Sequence, residues 1–176
     1  MRLRRPLHAL TCLGAVSHHA FELSAGVGLV FQPWLGLGGS GALWSVSLPA
    51  WWLAAARGSP AWDRPLALAA GLSLGGAAIH YLLWPWELRG GLPYLTEAEG
   101  LRSGNLPAYN AILWGWMAAA GTALLRETPR GARRWAILGV AGALPLRASA
   151  RHHFVWVREQ ARTNPAWWNR AFAEVA

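Results

Sequence analysis

The chain has 176 residues, of which 54% are apolar and only 14% are charged. An average soluble domain carries about a quarter charged residues, so this composition argues against an ordinary soluble domain. The net charge is +8, and its basic part is entirely Arg because the sequence contains no Lys. Since no polar domain is available to hold a nucleic acid, we expect the Arg residues to set membrane orientation and to contact anionic lipid headgroups.

Five apolar segments follow one another along the chain. They cover about Leu7–Phe31, Gly41–Ala56, Pro65–Trp86, Leu106–Leu125 and a fifth segment that begins near Trp135 and is interrupted at Pro145. We expect each to be a helix, because lipid leaves no water to satisfy an open backbone. The predicted fold is an all-α integral membrane helical bundle, in which residues 1–176 form a single transmembrane domain that is kinked near Pro145.

The first segment resembles a signal peptide at its start, since three Arg residues precede an apolar run. The run continues past His18 and Glu22, however, and no small-x-small cleavage site follows it. Its length is close to the roughly 20 residues that a bilayer requires. We therefore expect an uncleaved first span.

Polar side chains interrupt this first span at helical spacing. His8, Cys12, His19 and Glu22 share one stripe, and His18 precedes Glu22 by four residues. A carboxyl group inside a membrane is costly and is usually buried, paired and functional. The pattern favours an acid–base or ligand pair, while the alternative is a polar clasp that hydrogen-bonds neighbouring helices.

The third segment carries a histidine and a glycine motif. His80 lies near its outer end, where it can face a polar group of another helix. Gly71 and Gly75 form a small-xxx-small notch, which predicts close approach of a neighbouring helix.

Further polar and aromatic candidates lie close to the predicted outer surface. Trp84 ends the third segment, and Tyr109 and Asn110 begin the fourth. They could bind substrate, or they could be an interfacial aromatic and a helix-start residue.

The fifth segment allows two interpretations. Arg147, Arg151, Arg158 and Arg162 fall on one helical face, while His153 falls on another side. In one interpretation the segment spans and its Arg face lines a cavity, where Arg151 holds an anionic group. In the other, it surfaces after Pro145 and continues as an amphipathic helix along the headgroups.

The Arg residues are distributed unevenly between alternate joints. One side receives Arg2, Arg4, Arg5, Arg57, Arg64, Arg126, Arg130, Arg133 and Arg134. The opposite joints, Gln32–Ser40 and Glu87–Asn105, hold only Arg89 and Arg102. The positive-inside rule predicts a multi-pass cell-membrane protein with a cytoplasmic N-terminus. Most of the candidate polar residues then lie at the midplane or in the outer half of the bilayer.

Three chemistries fit these residues. The first is a zinc or iron site, with candidate ligands His18, His19, Glu22, His80 and His153. The second is a b-type haem between two facing histidines. The third is general acid–base catalysis that needs no cofactor. Nucleotide-binding loops, nucleophile elbows and the H-E-x-x-H and C-x-x-C motifs are absent from the sequence.

The leading hypothesis is a membrane-embedded enzyme that acts on a lipid or isoprenoid-like substrate in the outer half of the bilayer. Its expected catalytic residues are His19, Glu22 and His80, and its expected substrate-binding residues are Trp84, Tyr109, Asn110, Arg151 and His153. The alternatives are a non-enzymatic haem- or metal-binding membrane subunit and a small transporter or assembly factor. The expected partners are the bilayer and a lipophilic small molecule, and a homo-oligomer or a partner subunit is compatible with each hypothesis.

Overall fold

The computed structural model describes residues 3–173, and its secondary structure is dominated by long helices. These are α1 (Pro6–Ala25), α2 (Gln32–Arg57), α3 (Asp63–Leu83), α4 (Leu106–Arg126), α5 (Arg134–Thr163) and the short α6 (Arg170–Ala173). The strands β1 (Trp86–Arg89) and β2 (Leu92–Leu95) form one antiparallel hairpin. The all-α prediction is confirmed, and each predicted apolar segment corresponds to one long helix. Arg2, one of the residues used for orientation, lies outside the described residues.

One helical stretch in the described part of the chain is both long and apolar enough to cross a membrane. It runs from Pro60 to Leu83, through a short 3-10 turn and α3. That this stretch or any of the other four long helices crosses a membrane stays a prediction. All five long helices nevertheless expose large apolar side chains, among them Leu10, Val46, Leu82, Leu125 and Ile137.

Helix α1 ends six residues before the predicted limit of the first segment. Gly26 adopts the left-handed conformation (φ 86°), and its N–H bonds the carbonyl oxygens of Glu22 and Leu23. This is the usual way in which glycine stops a helix. Gly28 is also left-handed (φ 84°), so residues 26–31 form a loop.

Helix α2 begins earlier than predicted, because the Gly-rich joint Gln32–Ser40 is its first part. Pro33 lies in the first turn, where its fixed φ suits a helix and its missing N–H costs nothing. The side chain of Gln32 accepts a hydrogen bond from the Leu29 N–H at 2.6 Å. Gly36 interrupts the helical path with φ 65° and ψ 178°, so α2 changes direction near its start.

The longest predicted joint, Glu87–Asn105, contains the β-hairpin. Its two-residue turn is Gly90–Gly91, and both residues have positive φ (59° and 81°), as a type I′ turn requires. The Asn110 side chain accepts from the Leu95 N–H at 2.8 Å and donates to the Leu95 carbonyl at 3.1 Å. Asn110 therefore fastens the hairpin to α4.

Helices α3 and α5 approach each other closely through small residues. A Cβ atom on Gly71 would lie 2.1 Å from the Ala136 carbonyl oxygen, and one on Gly139 would lie 2.2 Å from the Leu68 carbonyl oxygen. Gly75 faces Ala143 in the same way, at 2.5 Å. The predicted Gly71/Gly75 notch is confirmed, and the helix that fills it is α5.

Helix α5 is continuous through Pro145, so the predicted interruption of the fifth segment is wrong. Its 30 residues correspond to about 45 Å at 1.5 Å per residue. A bend at Pro145 stays a prediction. Arg147 and Arg151 are exposed, and so are Arg158 and Arg162. The Arg face of α5 therefore points away from the bundle.

A cluster of polar residues joins the start of α1 to α3 and to the end of α4. We call it the N-terminal polar cluster, and it consists of Arg5, His8, Asp63, Glu127 and Thr128. Arg5 forms an ion pair with Asp63, and His8 Nε2 lies 3.0 Å from Thr128 Oγ1. The Glu127 carboxylate accepts the backbone N–H groups of Leu7 at 2.9 Å and His8 at 3.0 Å. It thus binds two of the backbone N–H groups that have no partner within the helix because they lie in the first turn of α1.

Candidate functional site

The Glu22 carboxylate lies where α1, α3 and α4 meet. Tyr109 donates a hydrogen bond from its hydroxyl to Glu22 Oε1 at 2.7 Å. His18 Nε2 lies 3.5 Å from Glu22 Oε2, and His80 Nε2 lies 3.8 Å from Oε1. We call His18, His19, Glu22, His80 and Tyr109 the Glu22 cluster. The structure therefore brings together predicted site residues from three helices.

Local sequence explains part of this convergence. His18 and Glu22 are four residues apart, so they lie one above the other on α1. Gly14, one turn before His18, lets α4 approach, since a Cβ there would lie 2.5 Å from Trp116 Cδ1. The Trp116 ring then stacks on His18 with centroids 5.1 Å apart.

Backbone carbonyl groups fix the orientation of two of the histidines. His80 Nδ1 lies 2.8 Å from the Gly76 carbonyl oxygen, and His19 Nδ1 lies 2.8 Å from the Ala15 carbonyl oxygen. A carbonyl only accepts, so these Nδ1 atoms carry the hydrogen and each Nε2 is free for other partners.

A positive species between His80 and Glu22 would stabilise their contact. With Nδ1 protonated, a neutral His80 presents a bare Nε2 to a carboxylate oxygen 3.8 Å away. Two acceptors at this distance repel each other. A proton on Nε2, or a cation between the two atoms, makes the contact attractive. The two atoms are therefore close enough to share a bound cation or a proton.

His18 is the most enclosed histidine of the cluster, with 5% of its surface exposed. Its Nε2 faces Glu22, while its Nδ1 is buried and has no hydrogen-bond partner among the described residues. Its ring contacts His80 edge to face, with centroids 4.9 Å apart. The two imidazoles thus flank one carboxylate, in direct contact with each other.

The cluster borders a cavity of about 620 Å³, a volume within the range of small-molecule sites. Most of its wall is apolar. The ionisable groups that line it are His18, His19, Glu22 and His80 together with His153 of α5. The tryptophans that line it are Trp44, Trp51, Trp62, Trp84 and Trp116. Among the cavity-lining residues in the described ranges, Glu22 is the only acidic one and none is Arg.

The other predicted substrate-binding residues have different positions. Trp84 lines the cavity, and Tyr109 reaches Glu22 from α4 without belonging to the lining. Asn110 is fully buried and binds the hairpin. Arg151 is exposed and does not line the cavity. The structure therefore separates Asn110 and Arg151 from the other candidates.

His153 lines the far wall of the cavity. Its Nε2 lies 2.8 Å from the Val27 carbonyl oxygen, so Nε2 carries the hydrogen. Its Nδ1 is buried and has no partner in the part of the chain that the structure describes. His153 therefore contributes an enclosed imidazole with one unpaired nitrogen beside the cavity.

The sequence did not single out Trp44 and Trp116, although both contact the cluster. The Trp44 ring lies 4.0 Å from the His19 ring, between centroids. Trp116 follows Tyr109 by seven residues, two helical turns, and this spacing was the only available signal. For Trp44, on a different helix, no local pattern pointed to the site.

Three residues of the cluster have the composition of a metal site. The ligand atoms of His18, Glu22 and His80 all lie within 4.8 Å of one another. Two histidines and a glutamate are a known zinc ligand set that leaves one position open. Tetrahedral bonds of about 2.0–2.1 Å place ligand atoms roughly 3.3 Å apart, so small side-chain movements would complete the site.

The haem alternative fits His18 and His80 poorly. Their rings touch edge to face at 4.9 Å, and a porphyrin cannot lie between two rings already in contact. Axial ligation of one haem by this pair would require the helices to separate.

Comparison with known protein families, characterised proteins and solved structures finds no match to this chain.

Proposed function

We propose that this protein is a membrane-embedded enzyme that uses the Glu22 cluster for acid–base chemistry on a lipid or isoprenoid-like molecule. The observation that carries the proposal is the pairing of Glu22 and His80, 3.8 Å apart, on the wall of a mostly apolar cavity. A large apolar pocket with a few convergent ionisable groups is the usual form of a lipophilic substrate site.

Four of the five members of the cluster have a proposed role in this chemistry. Glu22 and His80 exchange the proton held between them with the substrate, as a general acid and base do. His19, whose Nδ1 is bound to Ala15, offers a second imidazole on the same wall. Tyr109 is a positioning residue, because it holds one Glu22 oxygen by a hydrogen bond of 2.7 Å.

Trp84 and His153 contact the substrate in this proposal, since both line the cavity. Arg151 takes a different role from the one expected. Its side chain is exposed on the Arg face of α5, where it suits headgroup phosphates.

The proposed location is the cell membrane, with the N-terminus in the cytoplasm. The exposed apolar side chains on all five long helices support it, since soluble proteins rarely show extensive contiguous apolar surface. The uneven distribution of Arg between alternate joints supports the orientation. Side-specific labelling of two joints tests both.

Partly exposed apolar residues in the cavity lining suit a membrane substrate. Leu43 of α2 and Leu72 of α3 line the cavity and are 41% and 36% exposed. Gly142 of α5 does the same. We propose that a lipophilic molecule enters from the bilayer between these helices.

Deuterium exchange tests the acid–base proposal with a panel of candidate substrates. The purified protein in lipid nanodiscs is incubated in D₂O with farnesol, geranylgeraniol, squalene and a lipid extract of the host membrane. Mass spectrometry then measures deuterium on carbon. We expect incorporation into at least one component, reduced by about 100-fold or more in Glu22→Gln.

Glu159→Gln is the matched control, because Glu159 lies on the exposed surface of α5. It should exchange at the wild-type rate. Exchange by Glu22→Gln at the wild-type rate, or none above the protein-free rate by the wild type, would contradict the proposal.

A second candidate function is metal binding by His18, Glu22 and His80, favoured by the spacing of their ligand atoms. The hydrogen bond from His80 Nδ1 to Gly76 is also the kind of outer contact that orients metal-bound histidines. Titration with Co²⁺, followed by its visible absorption, tests it. One bound equivalent in the wild type and none in His80→Gln would support a metal centre, and no saturable binding would exclude this candidate.

A further inference from the structure

The charge of the cavity wall restricts which molecules can reach Glu22. Within the described lining, Glu22 supplies the single carboxylate and Arg is absent. The chain has no Lys that could take its place. An anionic headgroup would therefore meet a carboxylate whose shared proton leaves the Glu22–His80 pair neutral at most, and it would find no Arg or Lys, so phosphate and carboxylate groups are poor fits. The sequence-based expectation of an Arg-anchored anion does not suit this wall.

The tryptophan rings of the cavity wall favour a positively charged ligand. Aromatic ring faces carry partial negative charge and attract cations, most strongly when water is excluded. Three of the rings that line the cavity lie beside the histidines of the cluster. The centroid distances are 4.0 Å from Trp44 to His19, 5.1 Å from Trp116 to His18 and 5.5 Å from Trp84 to His80. The carboxylate and these aromatic rings thus lie at the same end of the cavity.

The rest of the cavity wall favours a ligand with a large apolar body. Beyond the cluster the lining is mainly Leu, Ala, Val and Phe, and the volume is about 620 Å³. The polar residues of the lining outside the cluster are few, namely Ser47, Ser73 and His153. A ligand that matches both ends has a long apolar body and one positive end.

From this combination we propose that the cavity takes a lipophilic molecule that carries a positive charge beside Glu22, or that gains one when it is protonated there. This inference rests on the proposed function and names its substrate class. A lipophilic amine carries the positive charge when it binds. An isoprenoid alkene is neutral when it binds and gains the positive charge when it is protonated.

The alkene case gives a balanced reaction. The proton held by His80 and Glu22 adds to one carbon of the double bond, whose electron pair becomes the new C–H bond. The neighbouring carbon becomes positive and is stabilised by the ring faces and the carboxylate. Loss of a proton from the next carbon to the carboxylate returns an electron pair as a double bond in a new position. No electrons are gained or lost, so the isomerisation needs no further reactant.

Three ligands with the same farnesyl chain test the inference: N,N-dimethylfarnesylamine, farnesol and farnesyl phosphate. Binding to the protein in phosphatidylcholine nanodiscs is followed by quenching of tryptophan fluorescence, with empty nanodiscs as the blank for partitioning. We expect the amine to bind about tenfold or more tightly than the alcohol, and the phosphate to bind most weakly.

Glu22→Gln should bind the amine and the alcohol equally, and its retained affinity for farnesol shows that the cavity is still folded. If the variant fails to accumulate, Trp44→Leu replaces it, and it should lower amine affinity several-fold while farnesol affinity changes less. Glu159→Gln should keep the wild-type order.

The outcomes separate this inference from the proposed function. Equal wild-type affinities for amine and alcohol, or a preference for the phosphate, would overturn the charge inference even if deuterium exchange is observed. An amine preference that survives in Glu22→Gln would overturn it as well. An amine preference that depends on Glu22, without any exchange, would confirm a binding site for lipophilic cations and refute the catalytic proposal alone.

Discussion

Each of the two polar clusters attached to α1 contains a glutamate and at least one histidine, but the two carboxylates have different partners. In the N-terminal polar cluster, the Glu127 carboxylate binds two backbone N–H groups, at 2.9 and 3.0 Å. In the Glu22 cluster, the carboxylate faces a phenol and two imidazoles instead. Backbone N–H groups do not exchange roles as proton donors and acceptors, whereas imidazoles do. The partners of a buried carboxylate, more than its burial, separate a structural site from a chemical one.

The two clusters also differ in their position relative to the cavity. The residues of the N-terminal polar cluster are not part of the described cavity lining, whereas four of the five Glu22 cluster residues are. We therefore expect substitutions in the first cluster to change stability and substitutions in the second to change binding and chemistry.

The largest effect on stability should come from breaking the ion pair between Arg5 and Asp63. Their side chains are only 11% and 19% exposed, so loss of one partner leaves a poorly solvated charge. We expect Arg5→Met to lower the free energy of unfolding by about 3–5 kcal/mol. Thermal and denaturant unfolding in detergent micelles measures this loss.

The exposed pair of Arg162 and Glu159 provides the control. Its side chains are 67% and 55% exposed, so Arg162→Met should cost less than about 1 kcal/mol. The double variant Arg5→Met/Asp63→Leu should recover part of the loss, since no charge remains unpaired. Equal stabilities for Arg5→Met and Arg162→Met would show that the N-terminal polar cluster is not structural.

Glu127→Gln should lower the free energy of unfolding by less than Arg5→Met does. The amide keeps one acceptor oxygen, but it loses the charge that binds the first turn of α1 and replaces the other oxygen with a donor. Hydrogen bonds to charged groups contribute about 1.5–3 kcal/mol, so we expect a loss of about 2 kcal/mol. Glu22→Gln should cost less, because its carbonyl still accepts from Tyr109 and a buried charge is removed. Unfolding of both variants under the same conditions compares them, and a larger loss for Glu22→Gln would reverse the assignment of roles.

Local patterns in the sequence predicted the five long helices and some of the residues of the Glu22 cluster. The four-residue spacing placed His18 and Glu22 on one face, and the Gly71/Gly75 notch predicted a tight helix contact. The cost of a carboxyl group among apolar residues indicated that Glu22 and His80 would face inward. These are properties of single helices, which a sequence records directly.

The remaining features depend on contacts between distant segments. Tyr109 reaches Glu22 only because α1 and α4 pack together, and Arg5 meets Asp63 across 58 residues of sequence. The sequence placed Arg151 and His153 on different sides of the fifth segment and, if that segment spans, predicted that both reach the cavity, but in the structure only His153 lines it. Helical phase separates them, and only the packing of α5 shows which face points inward.

Single cysteines should report the orientation with the smallest perturbation of the fold. Cys12 is the chain's one cysteine and is 2% exposed, so Cys12→Ala gives a background without thiols. In that background, Leu92→Cys places a thiol on the exposed hairpin, on the side of the Glu22 cluster, and Ser59→Cys places one beside the N-terminal polar cluster. Neither side chain is buried, so both variants should stay within about 0.5 kcal/mol of the background stability.

Labelling of these two thiols decides on which side of a membrane each cluster lies. On intact cells, a membrane-impermeant maleimide should label the Leu92→Cys variant at once and the Ser59→Cys variant only after permeabilisation, because the Arg-rich joints face the cytoplasm. The reverse pattern would invert the bundle and place the Glu22 cluster in the inner leaflet. Equal labelling of both variants on intact cells would refute a membrane-spanning arrangement, and the two clusters would then differ in chemistry but not in the side of a membrane that they face.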